Sequence, residues 1–225
     1  MPSKSHKLAF STFLKLLELP EEKKRPMLKG FTREGGYNYW RPIQMLSDDV
    51  AHGILAEEQI SDRVRMMCKE HQQKYNALAL TRLSKWLKSR KIKVLPTVGK
   101  IERKFTNSGL MVRMEPEVAF EMSGIKYLMQ IWATNTPSLS ERTISAGLHF
   151  LQFHMRKAEF SEYQFLIFDA TKEIMHNEIN ILQSASDVLK GERLLIQELW
   201  NEVWGDKNKS DPDSKWAPSD HPGLH

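Results

Sequence analysis

Apolar positions change their spacing along the chain. Near the N-terminus Leu8, Phe13, Leu14 and Leu17 recur close to helical spacing, which predicts a helix. The run from Glu21 to Pro26 is expected to end it, because proline disfavours helix in the residue before it. Gly35-Gly36 predicts a turn, and Tyr37, Tyr39 and Trp40 beside it predict a ring cluster that docks this loop on the next helix. The same rings are also of the kind that stacks on bases. A helix is expected over 47–59, with Ser47 as N-cap and Asp48 and Asp49 at its positive end. A longer one is expected over 60–90. There Ala79, Leu80, Leu83, Trp86 and Leu87 share one face.

From residue 92 the pattern becomes strand-like. Residues 92–95 and 100–105 are short and partly alternating, and 110–134 reads as strand, tight turn, strand. Ser123-Gly124 is the turn centre, with glycine where φ goes positive. That register pairs Met122 with Ile125, Glu121 with Lys126, Ala119 with Leu128, Glu117 with Gln130, and Glu115 with Trp132. Side chains alternate across a strand. Arg113, Glu115, Glu117, Ala119 and Glu121 then line one face, and Val112, Met114, Val118, Phe120 and Met122 the other. One face reads as core and the other as polar around Glu117 and Gln130.

Pro137 closes the hairpin, and Ser138 with Glu141 fits a capping box for a helix running to about residue 157. Residues 163–168 predict a strand that Asp169 ends, and Ile196, Leu199 and Val203 predict a last amphipathic helix. The fold expected is α+β: an N-terminal helical layer, a central mixed sheet of about four to five strands containing the hairpin, and flanking helices. The expected division is 1–45 for the N-terminal helix and ordered loop, 46–204 for the α+β core, and 205–225 for a polar tail that carries no structure of its own.

Composition adds limits. The 225 residues are 40% hydrophobic and 27% charged, as in a globular domain that folds on its own core. The lone cysteine, Cys68, rules out an internal disulfide and thiolate-rich zinc sites, and suits a reducing compartment. No apolar run is long enough to span a membrane. A cytoplasmic protein without membrane partners is expected. The net charge of +5 permits DNA or RNA as a partner without requiring it.

The order helix, strand, hairpin, helix, strand over residues ~60–170 resembles the core of restriction-endonuclease-like proteins. The resemblance implies an acid on the second strand, matched by Glu117. It also implies an acid or glutamine on the third strand, matched by Gln130, followed two residues later by lysine. This sequence has Trp132 there, so the usual stabiliser of the phosphate or attacking water is missing. The candidate catalytic residues are Glu117, Gln130 and Glu115. Mg²⁺ takes hard oxygen ligands, and the candidate metal ligands are Glu102, Glu115 and Glu117. A solvated sheet face, with Glu121–Lys126 as an ordinary cross-strand ion pair, is the plainer alternative.

Lys85, Lys88, Arg90 and Lys91, followed by Arg103 and Lys104, are clustered cations of the kind that binds phosphates. They also fit a solvated helix end. Gly99-Lys100 lacks the rest of a phosphate loop. His149 and His154, five apart on one helix, do not share a face there. The expected function is a nucleic-acid-associated protein with a degenerate or atypical nuclease-like core. The alternative is a non-catalytic protein-interaction or regulatory module of a bacterial system, with a protein partner.

Overall fold

The computed structural model describes residues 7–30, 39–107, 109–156 and 160–204. Strand β1 (Lys7–Ala9) leads into helix α1 (Phe10–Glu18), then α2 (Glu21–Lys29), α3 (Arg41–Ala51), α4 (Ile60–Met67) and α5 (Glu70–Lys88). Strands β2 (Lys93–Leu95), β3 (Ile101–Lys104), β4 (Met111–Met114), β5 (Val118–Met122) and β6 (Ile125–Trp132) follow. After them come α6 (Glu141–Phe150), a π turn (Leu151–Met155), β7 (Tyr163–Asp169), β8 (Ile174–Asn177) and α7 (Ala185–Trp204).

The strands form two mixed sheets, of order β1-β4-β3 and β2-β5-β6-β7-β8. The larger is the expected central sheet, and the class is α+β. The hairpin register holds from Val118↔Met129 to Met122↔Ile125. Ser123 and Gly124 have φ of 53° and 78°, the primed turn whose twist matches its strands. β6 and β7 are parallel, joined across α6, and their register runs from Lys126↔Tyr163 to Trp132↔Asp169.

The expected hairpin is shortened at its open end. Met111–Met114 does not continue β5. It pairs instead with β1, in parallel, and with β3. Pro116 stands at the crossing; lacking an N–H, it cannot continue a ladder. Val112 and Met114 therefore pack in one core, and Val118, Phe120 and Met122 in or against the other. Glu115 has no strand partner opposite Trp132.

Both faces of the large sheet are covered. Helices α3, α4 and α5 bury Val118, Phe120, Met129 and Leu166, while α1, α2, α6 and α7 bury Ala119, Leu128, Phe165 and Ile167. The N-terminal helices are thus part of the common core, and position 45 falls inside α3. The expected tail, 205–225, lies outside the described residues.

Several helix ends differ from expectation. Glu21 starts α2 instead of closing α1, and Pro26 sits within α2 on its exposed side. Ser47 is buried in the middle of α3, where Ser47 Oγ donates to Ile43 O at 2.7 Å. Positions 60–90 hold two helices, broken at Cys68-Lys69. The cap of α6 is Ser140, not Ser138; Thr143 N donates to Ser140 Oγ at 3.3 Å. Serine is a comparable cap at either position, so packing of α6 decides between them.

Lys24 is the least expected core residue. Its ammonium is buried and donates to Leu16 O (2.9 Å), Leu17 O (3.1 Å) and Leu19 O (2.6 Å). These carbonyls close the C-terminal end of α1, where a cation is favoured. The three carbonyls use all three ammonium protons. Glu192 Oε2 of α7, at 2.9 Å, is therefore held as an ion pair without an N–H of its own.

At Gly147 α6 packs closely against side chains of α1. A Cβ there would overlap Leu14 Cδ2 and crowd Phe10 Cζ at 3.4 Å. Gly147→Ala is expected to destabilise the protein by about 1–3 kcal/mol, because a packed interface has no space to yield. Chemical denaturation measures this, and a neutral or stabilising result would show that the two helices slide apart freely.

Candidate functional site

The site follows from where the β5–β6 ladder stops. Glu117 N donates to Met129 O at 2.9 Å, the last backbone link before the chain leaves at Pro116. Beyond it Ile131 N has no β5 carbonyl opposite, and it donates to Glu117 Oε2 at 2.9 Å. Gln130 Nε2 lies 2.6 Å from Glu117 Oε1 and 2.7 Å from Oε2. Glu117 and Gln130 are both buried, each 5% exposed. The predicted pair therefore meets, inside the protein and not on a solvated face.

Burial pushes the Glu117 carboxyl up to about 8, against the lowering effect of the Ile131 and Gln130 donors. At neutral pH the acid is therefore mostly protonated and has one O–H to donate. Gln130 accepts that proton once its amide turns oxygen toward the acid, and contacts of 2.6–2.7 Å suit O–H···O.

Trp132, at the position of the missing lysine, is buried among the core residues of the α1/α6 face. Its register neighbour Asp169 is also buried. Asp169 Oδ1 accepts from Thr171 N (2.9 Å), Thr171 Oγ1 (2.6 Å) and Lys172 N (3.2 Å), which closes the β7–β8 turn. Aspartate often makes such turns, and this accounts for a strand that ends there.

Glu115 is exposed beside a small crevice lined by Arg113, Gln130, Gln44 and residues 9–11 at the start of α1. Glu102 belongs to the other sheet, where Lys7 Nζ donates to it at 2.8 and 3.1 Å and holds its carboxyl below the usual range. Among the described residues no group of three His, Cys, Asp or Glu side chains is placed to hold a metal ion. The donor set of Glu102, Glu115 and Glu117 does not suit Mg²⁺. One acid is neutral with both oxygens engaged, and another is ion-paired on a different sheet.

The six cations fall into two groups on opposite sides of the large sheet. Lys85 and Lys88 of α5 share Glu57, at 3.9 and 3.3 Å, and Arg90 lies over the Trp86 ring at 4.3 Å. Lys91 is exposed just beyond α5. Arg103 Nε donates to His154 O at 3.0 Å, and Lys104 lines a cleft against α7. Glu121 and Lys126 are opposite in register, but Lys126 makes its ion pair with Glu162. A cross-strand neighbour and a longer-range partner compete for one ammonium, and the latter reaches it at closer range.

Tyr39 acts as an anchor, but on α5 and not on the next helix, α3. Tyr39 Oη donates to His71 O at 3.1 Å, and Asn76 Nδ2 donates to Tyr39 O at 3.1 Å. Tyr39 and Trp40, with Lys15 and Tyr75, also line a cavity of about 400 Å³ beside residues 133–136. Tyr37 lies outside the described residues. The Cys68 thiol is pushed up by burial and donates to Val64 O at 3.3 Å, which fits a structural cysteine.

His149 and His154 do share a face, contrary to the helical-spacing argument. The π turn closes with Arg156 N donating to Leu151 O at 3.0 Å, a span of five residues. The rings through this segment meet four apart, His149 with Phe153 at 4.4 Å and Phe150 with His154 at 5.2 Å, and the wider turn lets both imidazoles reach one cleft. Both imidazoles line the Lys104 cleft. A π turn has no periodicity signal in sequence, so this convergence was not legible there.

No protein-family model matches the chain, and no curated protein matches it in sequence. Among the described residues no helix is long and apolar enough to cross a membrane.

Proposed function

We propose that this is a cytoplasmic, nucleic-acid-associated protein built on a nuclease-like core whose acidic pair has become a structural lock and does not cleave. One observation carries the reading. Glu117 and Gln130, the two positions matched by the resemblance, meet on adjacent strands, but as a buried neutral acid–amide pair beside a buried Trp132. The element order behind the resemblance — α5, β2, the β5–β6 hairpin, α6, β7 — builds a single sheet, which supports the same reading. A protonated carboxyl with both oxygens taken is a poor ligand for Mg²⁺, which is normally held through ionised carboxylates. Nucleic-acid contact is assigned to the end of α5, where Lys85, Lys88, Arg90 and Lys91 converge.

Fluorescence anisotropy with labelled duplex DNA and single-stranded RNA tests the binding half. Affinity is expected to fall steeply with salt, since cations that displace phosphate counterions give that dependence. Lys88→Glu with Lys91→Glu is expected to weaken binding about tenfold or more. Incubation with Mg²⁺ or Mn²⁺ tests the other half, with no cleavage expected. Metal-dependent cleavage that Glu117→Ala abolishes would restore Glu115 and Glu117 as metal ligands and overturn the lock. Absence of binding to DNA and RNA alike would leave the protein-interaction or regulatory reading.

A further inference from the structure

We propose that the cleft between the end of β3, the π turn and the first half of α7 binds a phosphate monoester, the terminal phosphate of a nucleotide or of a nucleic-acid end. Three elements distant in sequence bring their basic groups to it: Lys104 from β3, His149 and His154 from α6 and the π turn, and Lys190 and Arg193 from α7. Among the described residues no acidic side chain lines it. Asp187 is, among the described residues, the one carboxylate paired with a lining cation, Lys190, at 3.4 Å with both side chains exposed. Among the described residues Lys104 and Arg193 have no ion-pair partner.

This arrangement is unfavourable while empty of charge. Lys190 and Arg193 are three apart on one helix and face the same cleft, and like charges at that spacing repel. Phe105, Phe150 and Leu189 line the cleft as well, and all three are buried in the apolar core. Burial and the nearby Lys190 hold the His149 imidazole below its ordinary range. A bound anion offsets the repulsion among these cations and the effect of Lys190 on His149. Ser186, in the first turn of α7, adds a hydroxyl to the same wall. The turn that carries His154 is fixed from both sides: Arg103 Nε holds its carbonyl, and the ring stacks on Phe150 at 5.2 Å.

The shape selects a terminal phosphate over a backbone. The cleft holds about 240 Å³, room for one compact group and not for a strand running through. A terminal phosphate carries close to two charges near neutral pH, a backbone diester one. Three full cations in one hollow match the former. This inference stands apart from the nucleic-acid reading, since a free mononucleotide offers the same group.

The test uses the full-length protein. Inorganic phosphate, a nucleoside 5′-monophosphate and the matching nucleoside are titrated by calorimetry and by NMR of the His149 and His154 imidazoles. The two phosphates are expected to shift both imidazoles saturably, and the nucleoside is not. Arg193→Ser and Lys104→Ser, both at exposed positions, should each weaken binding about tenfold, and together about a hundredfold. Lys88→Glu with Lys91→Glu should leave it unchanged, which separates this site from the α5 cations. Comparing 5′-phosphorylated with 5′-hydroxyl oligonucleotides identifies the source. In the Lys88→Glu/Lys91→Glu protein, which lacks the α5 contribution, tighter binding of the phosphorylated strand than of both the 5′-hydroxyl strand and the mononucleotide marks a nucleic-acid end, and tighter binding of the mononucleotide marks a free nucleotide. No saturable imidazole shift, or equal affinity in wild type and Arg193→Ser/Lys104→Ser, overturns the site.

Discussion

Raising the pH from about 4.5 to about 8 is expected to cost the wild-type protein about 4–5 kcal/mol relative to Glu117→Gln. The sign follows from proton binding. An exposed glutamate in the unfolded chain loses its proton near 4.5, while the buried Glu117 keeps it to about 8. Between those values the folded protein binds the extra proton, so stability falls as pH rises. The contribution is fully present below 4.5 and lost as pH passes through about 8. Glutamine is neutral throughout and removes this slope. It also preserves the lock: its oxygen can accept from Ile131 N, and its amide can donate to a turned Gln130. The two proteins should therefore differ little at low pH and diverge upward from it. Urea denaturation at a series of pH values reads the difference directly. A difference that is flat with pH, or that grows toward acid, would mean that folded Glu117 is ionised, and the lock would fail. Glu117→Ala is a harsher change. It strands the Ile131 N–H and the Gln130 amide, a cost of about 1–3 kcal/mol for each buried group left unpaired.

The second large effect is expected at Lys24. Lys24→Met should destabilise by about 3–5 kcal/mol, because it leaves the terminal carbonyls of α1 without their cation and the half-buried Glu192 carboxylate with only Arg142, at 4.0 Å. Methionine fills similar volume, so the loss reports the charge and its hydrogen bonds more than packing. Glu192→Gln alone should cost less, about 1 kcal/mol, since the three carbonyls keep Lys24 satisfied. Combining Lys24→Met with Glu192→Leu should recover part of the loss and not all, because the α1 carbonyls stay unpaired. A Lys24→Met protein as stable as wild type would show that α1 ends in solvent and not on this ammonium.

Both effects arise at polar groups inside the core, and these were the least visible in the sequence. Lys24 lies in a run of five charged residues that reads as a solvated break. Nothing local distinguishes it from Lys23 or Arg25. It is buried because α1 and α7 close around it, and α7 begins more than 150 residues later. Glu117 is similar. Its pairing with Gln130 was legible because a two-residue turn fixes which residues stand opposite. Its burial was not, because the alternation of β5 and β6 shows that two faces differ and not that both are covered. Helices α1, α6 and α7 supply the cover.

What the sequence by itself determined is therefore local. Apolar spacing placed α5 and α7, apolar and aromatic runs placed β6 and β7, and Ser123-Gly124 set the hairpin register. Each depends on backbone geometry within one or two turns of chain. The tertiary structure decided how those pieces share a core. It sent 111–114 to a second sheet, divided the six cations between opposite sides of the large sheet, and placed His149 and His154 in the same cleft. It also turned the glutamate on the hairpin's polar face into a buried neutral acid. A carboxyl's charge state is set by the dielectric around it, and that is a property of every element that packs against it.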